Sequence, residues 1–181
     1  VLVGRMLKDK GVREFVAAAR KLNSKKLIGN FLLVGDTDAL NPSSLDKSTL
    51  KKWNTEKGIE WLGWVENVSK ILKKTDILCL PSYREGLPKA LIEGAACGLP
   101  IVTTDTVGCR DVVVDGVNGF LVPIKNVDEL ADKIFKLIKN KSLREKMGKE
   151  SHKIALLKFE SSIIISQTLK IYDELYFDIV V

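Results

Sequence analysis

The sequence predicts an α/β domain built on a doubly wound, Rossmann-like parallel sheet, and three observations carry that reading. Short apolar runs alternate with amphipathic stretches along the chain, the apolar runs are hydrophobic on both faces, and glycine or proline marks many of the passages between them. A strand that is apolar on both faces belongs in a sheet covered by helices on each side. The length of 181 residues suits one domain of ordinary size, large enough to bury a real core.

Taken in order, the strand-like runs are Val1–Val3, Phe31–Val34, Ile59–Leu62, Ile77–Leu80, Ile101–Thr104 and, more weakly, Phe120–Val122. Helical spacing falls between them at about 11–22, 43–57, 68–74, 88–97 and 128–139. Strand, helix, strand in this order gives parallel neighbours with right-handed crossovers. Asn41-Pro42 reads as an N-cap and first helical residue, while Gly98 and Pro100 end the helix before the strand at 101. Beyond Ser142, the positions of Leu143, Met147, Ile154, Leu157, Ile165, Leu169 and Tyr172 predict a helical tail over about 142–177. With no internal repeat and no low-complexity linker, residues 1–181 read as a single domain. Val1 already lies in an apparent buried strand, which predicts a piece of a longer protein.

Composition narrows the function. Hydrophobic residues at 45% and charged residues at 29% exclude disorder, collagen and coiled coil. No apolar run approaches the roughly 20 residues of a membrane span, and no signal peptide precedes the first strand. The net charge of +6 comes from 29 basic residues, of which only six are arginine, spread over many helical faces. Dispersed lysine solvates a surface, whereas phosphate and nucleic-acid surfaces favour arginine's planar fork. Without a nucleic-acid-binding signature, the charge predicts no nucleic-acid partner, and weak attraction to an anionic membrane surface is its more natural consequence. Cys79, Cys97 and Cys109 lack metal or redox spacing and read as buried reduced thiols of a cytoplasmic protein. His152, the only histidine, falls on a solvated helix, so this chain holds no histidine-based chemistry.

In an open α/β sheet, ligands bind at the carboxyl ends of strands, beside helix N-termini. Four segments occupy such places: Gly4–Gly11, Gly35–Asp38, Gly63–Glu66 and Pro81–Pro88. The last is the most informative. Gly86 allows a tight backbone, Pro88 fits a first helical turn, and the free amides of a helix start favour phosphate. Glu85 stands just before that helix and Glu93 eight residues later, flanked by small and apolar residues. A carboxylate in a packed helix needs a partner. Vicinal sugar hydroxyls would satisfy Glu93, and so would a backbone turn or a lysine. Arg5 and Lys10 lie where two cations could neutralise a diphosphate, or are ordinary turn residues. Asp36-Thr37-Asp38 has a spacing used for divalent metals, but a strand exit explains it better, and no metal is expected. There is no Walker sequence and no G-x-G-x-x-G.

Together these segments resemble glycosyltransferase family 4, the group 1 glycosyltransferases. PSYREGLPKALIEGAACGLPIVTT is similar to the family's E-x7-E signature. VGRMLKDKG, FLLVGD, IEWLGWV, TVGCRDVVVDGVNGFLVP and LADKIFKLIKNKSLREKMG follow the family's order from Val1 to about Phe159. The resemblance implies the C-terminal, donor-binding half of a GT-B enzyme, with an acceptor domain in another part of the protein that supplies a histidine. It implies that Glu85 faces the donor sugar as the catalytic carboxylate and that Glu93 holds the ribose hydroxyls. It assigns Arg5 and Lys10 to the diphosphate, the backbone of Gly86, Leu87 and Pro88 to a phosphate cradle, and the loop at Trp64 and Val65 to the base. The family often has Gly-Phe-Gly after the first glutamate. Pro88 cannot donate an amide, and Gly94 stands where alanine is commoner. The implied reaction is metal-independent transfer, with retention, from a UDP-sugar or GDP-sugar to a glycan or lipid-linked acceptor. Its setting would be bacterial cell-surface polysaccharide synthesis, cytoplasmic or at the inner face of the membrane, with peripheral membrane contact through the other domain. A non-catalytic nucleotide-binding module of a polysaccharide assembly complex and another GT-B enzyme, such as a sugar-phosphate synthase, are the alternatives.

Overall fold

The structure, a computed structural model, describes residues 1–24 and 29–180. Six strands are β1 (Leu2–Val3), β2 (Phe31–Val34), β3 (Ile59–Gly63), β4 (Leu78–Leu80), β5 (Ile101–Thr104) and β6 (Gly119–Val122). The helices are α1 (Val12–Ser24), α2 (Lys47–Trp53), α3 (Val68–Leu72), α4 (Lys89–Ala96), α5 (Val107–Val112), α6 (Val127–Lys139), α7 (Lys141–Phe159) and α8 (Ser161–Val180). All strand pairings are parallel, in two ladders ordered β1-β2-β3 and β4-β5-β6. The Cys79 amide donates to the Val1 carbonyl at 2.8 Å and the Val1 nitrogen to the Ile77 carbonyl at 2.8 Å, which joins the ladders edge to edge. The order across the layer is therefore β3-β2-β1-β4-β5-β6, a doubly wound, Rossmann-like sheet whose order reverses between β1 and β4.

Every residue of β4 and β5 is buried, as strands covered on both faces require. Helix α1 packs beside α6, and α4 beside α7. Helix α6 has the most regular apolar stripe, burying Leu130, Ala131, Ile134 and Leu137, and the Asn126 side chain caps it by accepting from the Glu129 amide at 3.1 Å.

Several local expectations are corrected. Residues 43–46 and 54–57 are not helical. The Leu45 amide donates to the Met6 carbonyl and the Lys8 amide to the Ser43 carbonyl, both at 2.8 Å, so the first of these segments pairs with the chain after β1. Asn41 is accordingly not an N-cap: its side chain accepts from the Ser43 amide inside a turn, and Pro42 precedes the helix by five residues, with Asp46 at the cap position. Helix α5 was not expected, since its sequence runs into the β-branched Val112–Val114 and its Thr106 makes no side-chain cap bond. Cys79 and Cys109 are buried free thiols, but Cys97 is only half-buried.

Candidate functional site

The reversal of strand order brings the loops after β1 and β4 side by side, which is where the fold opens a crevice. Here the two loops are locked together. The Tyr83 amide donates to the Asp9 carbonyl at 2.8 Å, and the Tyr83 hydroxyl donates to Glu14 Oε1 at 2.6 Å. Burial, and then Glu14, push the Tyr83 phenol above its ordinary pKa, so it stays a donor. Gly11, at φ 67°, meets the Pro81 carbonyl so closely that any side chain would overlap it. On the other side, Gly108 at the start of α5 lies so close to the Gly86 carbonyl that a Cβ would collide with it.

This scaffold holds Lys10 and Glu85 in contact, Nζ to Oε1 at 2.6 Å, with their side chains 24% and 9% exposed. Arg5, 61% exposed, reaches across to Asp38 at 2.7 Å. Lys10 and Glu85 thus meet at the β1/β4 crevice, while Arg5 turns toward the loop after β2. Trp64 and Val65 do not join them, because they follow β3, two strand positions from β1 and roughly 10 Å away at about 4.8 Å per strand. The Trp64 side chain stands 73% exposed.

Pro88 occupies the N-cap position of α4 rather than its first turn, and is buried, while Gly86 and Leu87 are exposed. Gly86 does not take a left-handed φ, and a Cβ there would meet nothing within 4 Å; the close backbone contact at this position is that of its carbonyl with Gly108. The amides of Lys89 and Ala90, at the start of α4, have no carbonyl partner among the described residues. One turn on, about 6 Å along the axis, comes Glu93. The packed environment expected for Glu93 is corrected: the residue is exposed, and its carboxylate neither caps a turn nor pairs with a lysine among the described residues. The side chains of α4 that face inward are Leu91 and Ala95, and Gly94 lets the helix approach Leu78 of β4.

Asp36 accepts from the Thr37 amide at 2.7 Å and faces Lys47 at 3.5 Å; the amide, then the lysine, hold its carboxyl below the usual range. The two acidic groups of the D-x-D sequence are therefore each engaged by a cation. A concavity of about 480 Å³ lies at the ends of β5 and β6, lined by Asp105, Thr106 and Leu121–Ile124. Another, of about 490 Å³, lies at the opposite end of the sheet, at the amino ends of β1, β2 and β4 near Phe31 and Ile77. Neither contains Arg5, Lys10, Glu85 or Glu93. His152 is exposed, with Nδ1 2.7 Å from the Ala96 carbonyl at the end of α4. Sequence reasoning missed Asp38 as the partner of Arg5, and missed Tyr83, Glu14 and Gly108 altogether. Only Gly108 gave a signal, as a glycine entering a helix.

Residues 1–154 match the family described as glycosyl transferases group 1. The chain belongs to the group 1 glycosyl transferases. It is 34% identical to the N,N'-diacetylbacillosaminyl-diphospho-undecaprenol alpha-1,3-N-acetylgalactosaminyltransferase of Campylobacter jejuni, over 96% of this chain and 44% of that protein. It is 31% identical to the capsular polysaccharide biosynthesis glycosyltransferase CapM of Staphylococcus aureus, over 94% and 44%. The chain therefore spans less than half the length of these relatives. The fold is shared with the HepE protein of Anabaena solved with UDP, at a TM-score of 0.86 and 21% identity, over 96% of this chain and 48% of that one. The C-terminal domain of a group 1 glycosyl transferase (LpcC) from Francisella tularensis, solved alone, is 26% identical with a TM-score of 0.75, over 88% and 85%. No helix among the described residues of this group 1 transferase chain is long and apolar enough to cross a membrane.

Proposed function

We propose that the chain is the C-terminal, donor-binding half of a retaining family 4 glycosyltransferase that takes a sugar from a UDP-sugar or GDP-sugar. The observation that carries this reading is Glu93: an exposed carboxylate one turn into a helix, unpartnered, like that helix's first amides, among the described residues. A carboxylate accepts from two vicinal ribose hydroxyls, and amides at a helix start donate to a phosphate one turn away. In this reading the loop at Trp64 and Val65 takes the base.

Departure of the nucleoside diphosphate places growing negative charge on the phosphate oxygen that leaves the anomeric carbon. Arg5, the ammonium of Lys10 and the amides of Lys89 and Ala90 stabilise that charge. Lys89 and Ala90 supply what Pro88 cannot, since proline has no amide proton. Glu85, held by Lys10, faces the donor sugar. No step in this half calls for a metal. The acceptor, a glycan or a lipid-linked sugar, would be bound by an N-terminal domain that contributes the histidine this chain does not place there and any peripheral contact with the inner face of the membrane. The relatives support this reading: one acts on a diphospho-undecaprenol acceptor, and a relative from Escherichia coli is named for UDP-Gal and a diphosphoundecaprenol acceptor.

Calorimetric titration with UDP, GDP and ADP tests the proposal. One nucleotide binds, and Glu93→Ala weakens it by about tenfold or more, as the loss of charge-assisted hydrogen bonds worth about 1.5–3 kcal/mol predicts. Absence of binding by all three, or binding indifferent to Glu93→Ala, would refute it.

A further inference from the structure

The cations at the carboxyl end of the sheet are not idle. Arg5 is matched to Asp38 at 2.7 Å, Lys10 to Glu85 at 2.6 Å, and Lys47 to Asp36 at 3.5 Å. A diphosphate arriving here meets ion pairs rather than bare positive charge, so at least one pair must open or be shared. Burial decides which. The Lys10–Glu85 side chains are 24% and 9% exposed, and the pair ties together two loops also joined through Tyr83. Separating such a pair would strand a carboxylate out of water, which is strongly unfavourable. Lysine's ammonium has three donors, so Lys10 can keep Glu85 and still reach a phosphate. Arg5 and Asp38 are 61% and 27% exposed, and a pair this wet holds together only weakly. Among the described residues only one Arg5 nitrogen is engaged, which leaves the other edge of the guanidinium for phosphate.

We infer that Asp38 is a counter-ion for Arg5 that competes with the diphosphate, so that Arg5 exchanges partner on binding while Lys10 does not. This rests on the donor-site reading above and deepens it. Asp38 is a positioning residue, and it sets how tightly the nucleoside diphosphate, substrate portion and product alike, is held. Its carboxylate returns to Arg5 when the diphosphate leaves, and it repels the anion while the anion is bound. Asp36 serves as the comparison because its charge is as near in sequence but belongs to Lys47.

The test is calorimetric titration of the 181-residue chain with the nucleoside diphosphate that binds best, in wild type, Asp38→Asn, Asp36→Asn, Arg5→Ala and the Arg5→Ala/Asp38→Asn double variant, at two salt concentrations. Asp38→Asn preserves shape and one acceptor. It is expected to tighten binding by roughly two- to fivefold, the size of an exposed ion pair, with the gain shrinking at high salt. The gain is expected to exceed that of Asp36→Asn and to vanish on the Arg5→Ala background. Equal or weaker binding in Asp38→Asn overturns the inference while leaving the donor site standing. A gain that survives Arg5→Ala overturns it too, because the effect would then be general charge rather than partner exchange. If wild type binds no nucleotide, or Glu93→Ala changes nothing, the donor-site reading falls and this one falls with it.

Discussion

Ser82 and Thr104 are both fully buried at the carboxyl end of the sheet, yet their hydroxyls stand in opposite circumstances. Thr104 Oγ1 donates to the Ser82 carbonyl, while Ser82 Oγ has no partner among the described residues. A buried hydrogen bond contributes about 1 kcal/mol net, and a buried polar atom left unpaired opposes folding by about 1–3 kcal/mol. Thr104→Val should therefore destabilise by about 1–3 kcal/mol, whereas Ser82→Ala should leave stability unchanged or raise it. Urea denaturation of the two variants checks the contrast, and equal losses would contradict it. The thiols divide in a similar way. Cys79 is buried and its thiol is pushed up to about 12 by desolvation, Cys109 is buried, and Cys97 is half-buried with its thiol raised by burial. Thiolate is the reactive form. At pH 8 a thiol reagent should label Cys97 alone, slowly, in the native chain, and all three after denaturation, as peptide mass analysis would show.

Helix α5 and the loop after β4 form one unit, joined where Gly108 meets Gly86. A methyl group at Gly108 must move either the helix or the loop that carries Glu85, at about 1–3 kcal/mol for overpacking. Gly119→Ala also overpacks, but against the Ile101 backbone at the amino ends of β5 and β6, away from the loop. Both variants should lose stability in denaturation, and only Gly108→Ala should also weaken nucleotide binding. Equal affinities would show that the loop's position does not depend on α5. This unit marks the limit of what sequence revealed about elements. The strands β2 and β5 were legible to the residue, because runs apolar on both faces have few other homes, and α6 was legible from its stripe. Glu85, in the loop before α4, and Glu93, within it, stood out as candidates because eight residues is a local spacing. Helix α5 was not, since its residues favour strand and its cap is silent. Nor were Arg5–Asp38 and Tyr83–Glu14, whose partners are 33 and 69 residues apart and meet only once the sheet has formed.

At the scale of the whole molecule the sheet and its helices form one buried core, and α8 stands apart from it. Its principal neighbour is α7, and Ile164, Ile165, Leu169, Ile171, Tyr172 and Leu175 are each about half or more exposed. A 20-residue helix is marginal by itself in water, so its own hydrogen bonds add little to folding. The dependence of stability on denaturant follows the area exposed on unfolding, and side chains already in water contribute little to that area. Ending the chain after Glu160 should therefore leave both the urea midpoint and its slope unchanged, with nucleotide affinity intact and some far-ultraviolet helical signal lost. The truncated chain should also associate less with itself in sedimentation at high concentration, because a contiguous exposed apolar stripe promotes association. A lower midpoint with an unchanged slope would mean that α8 braces α7 and, through it, the helix that carries Glu93. A lower slope would mean that α8 buries surface the sheet depends on, and would make it part of the folding unit rather than an appendage to it.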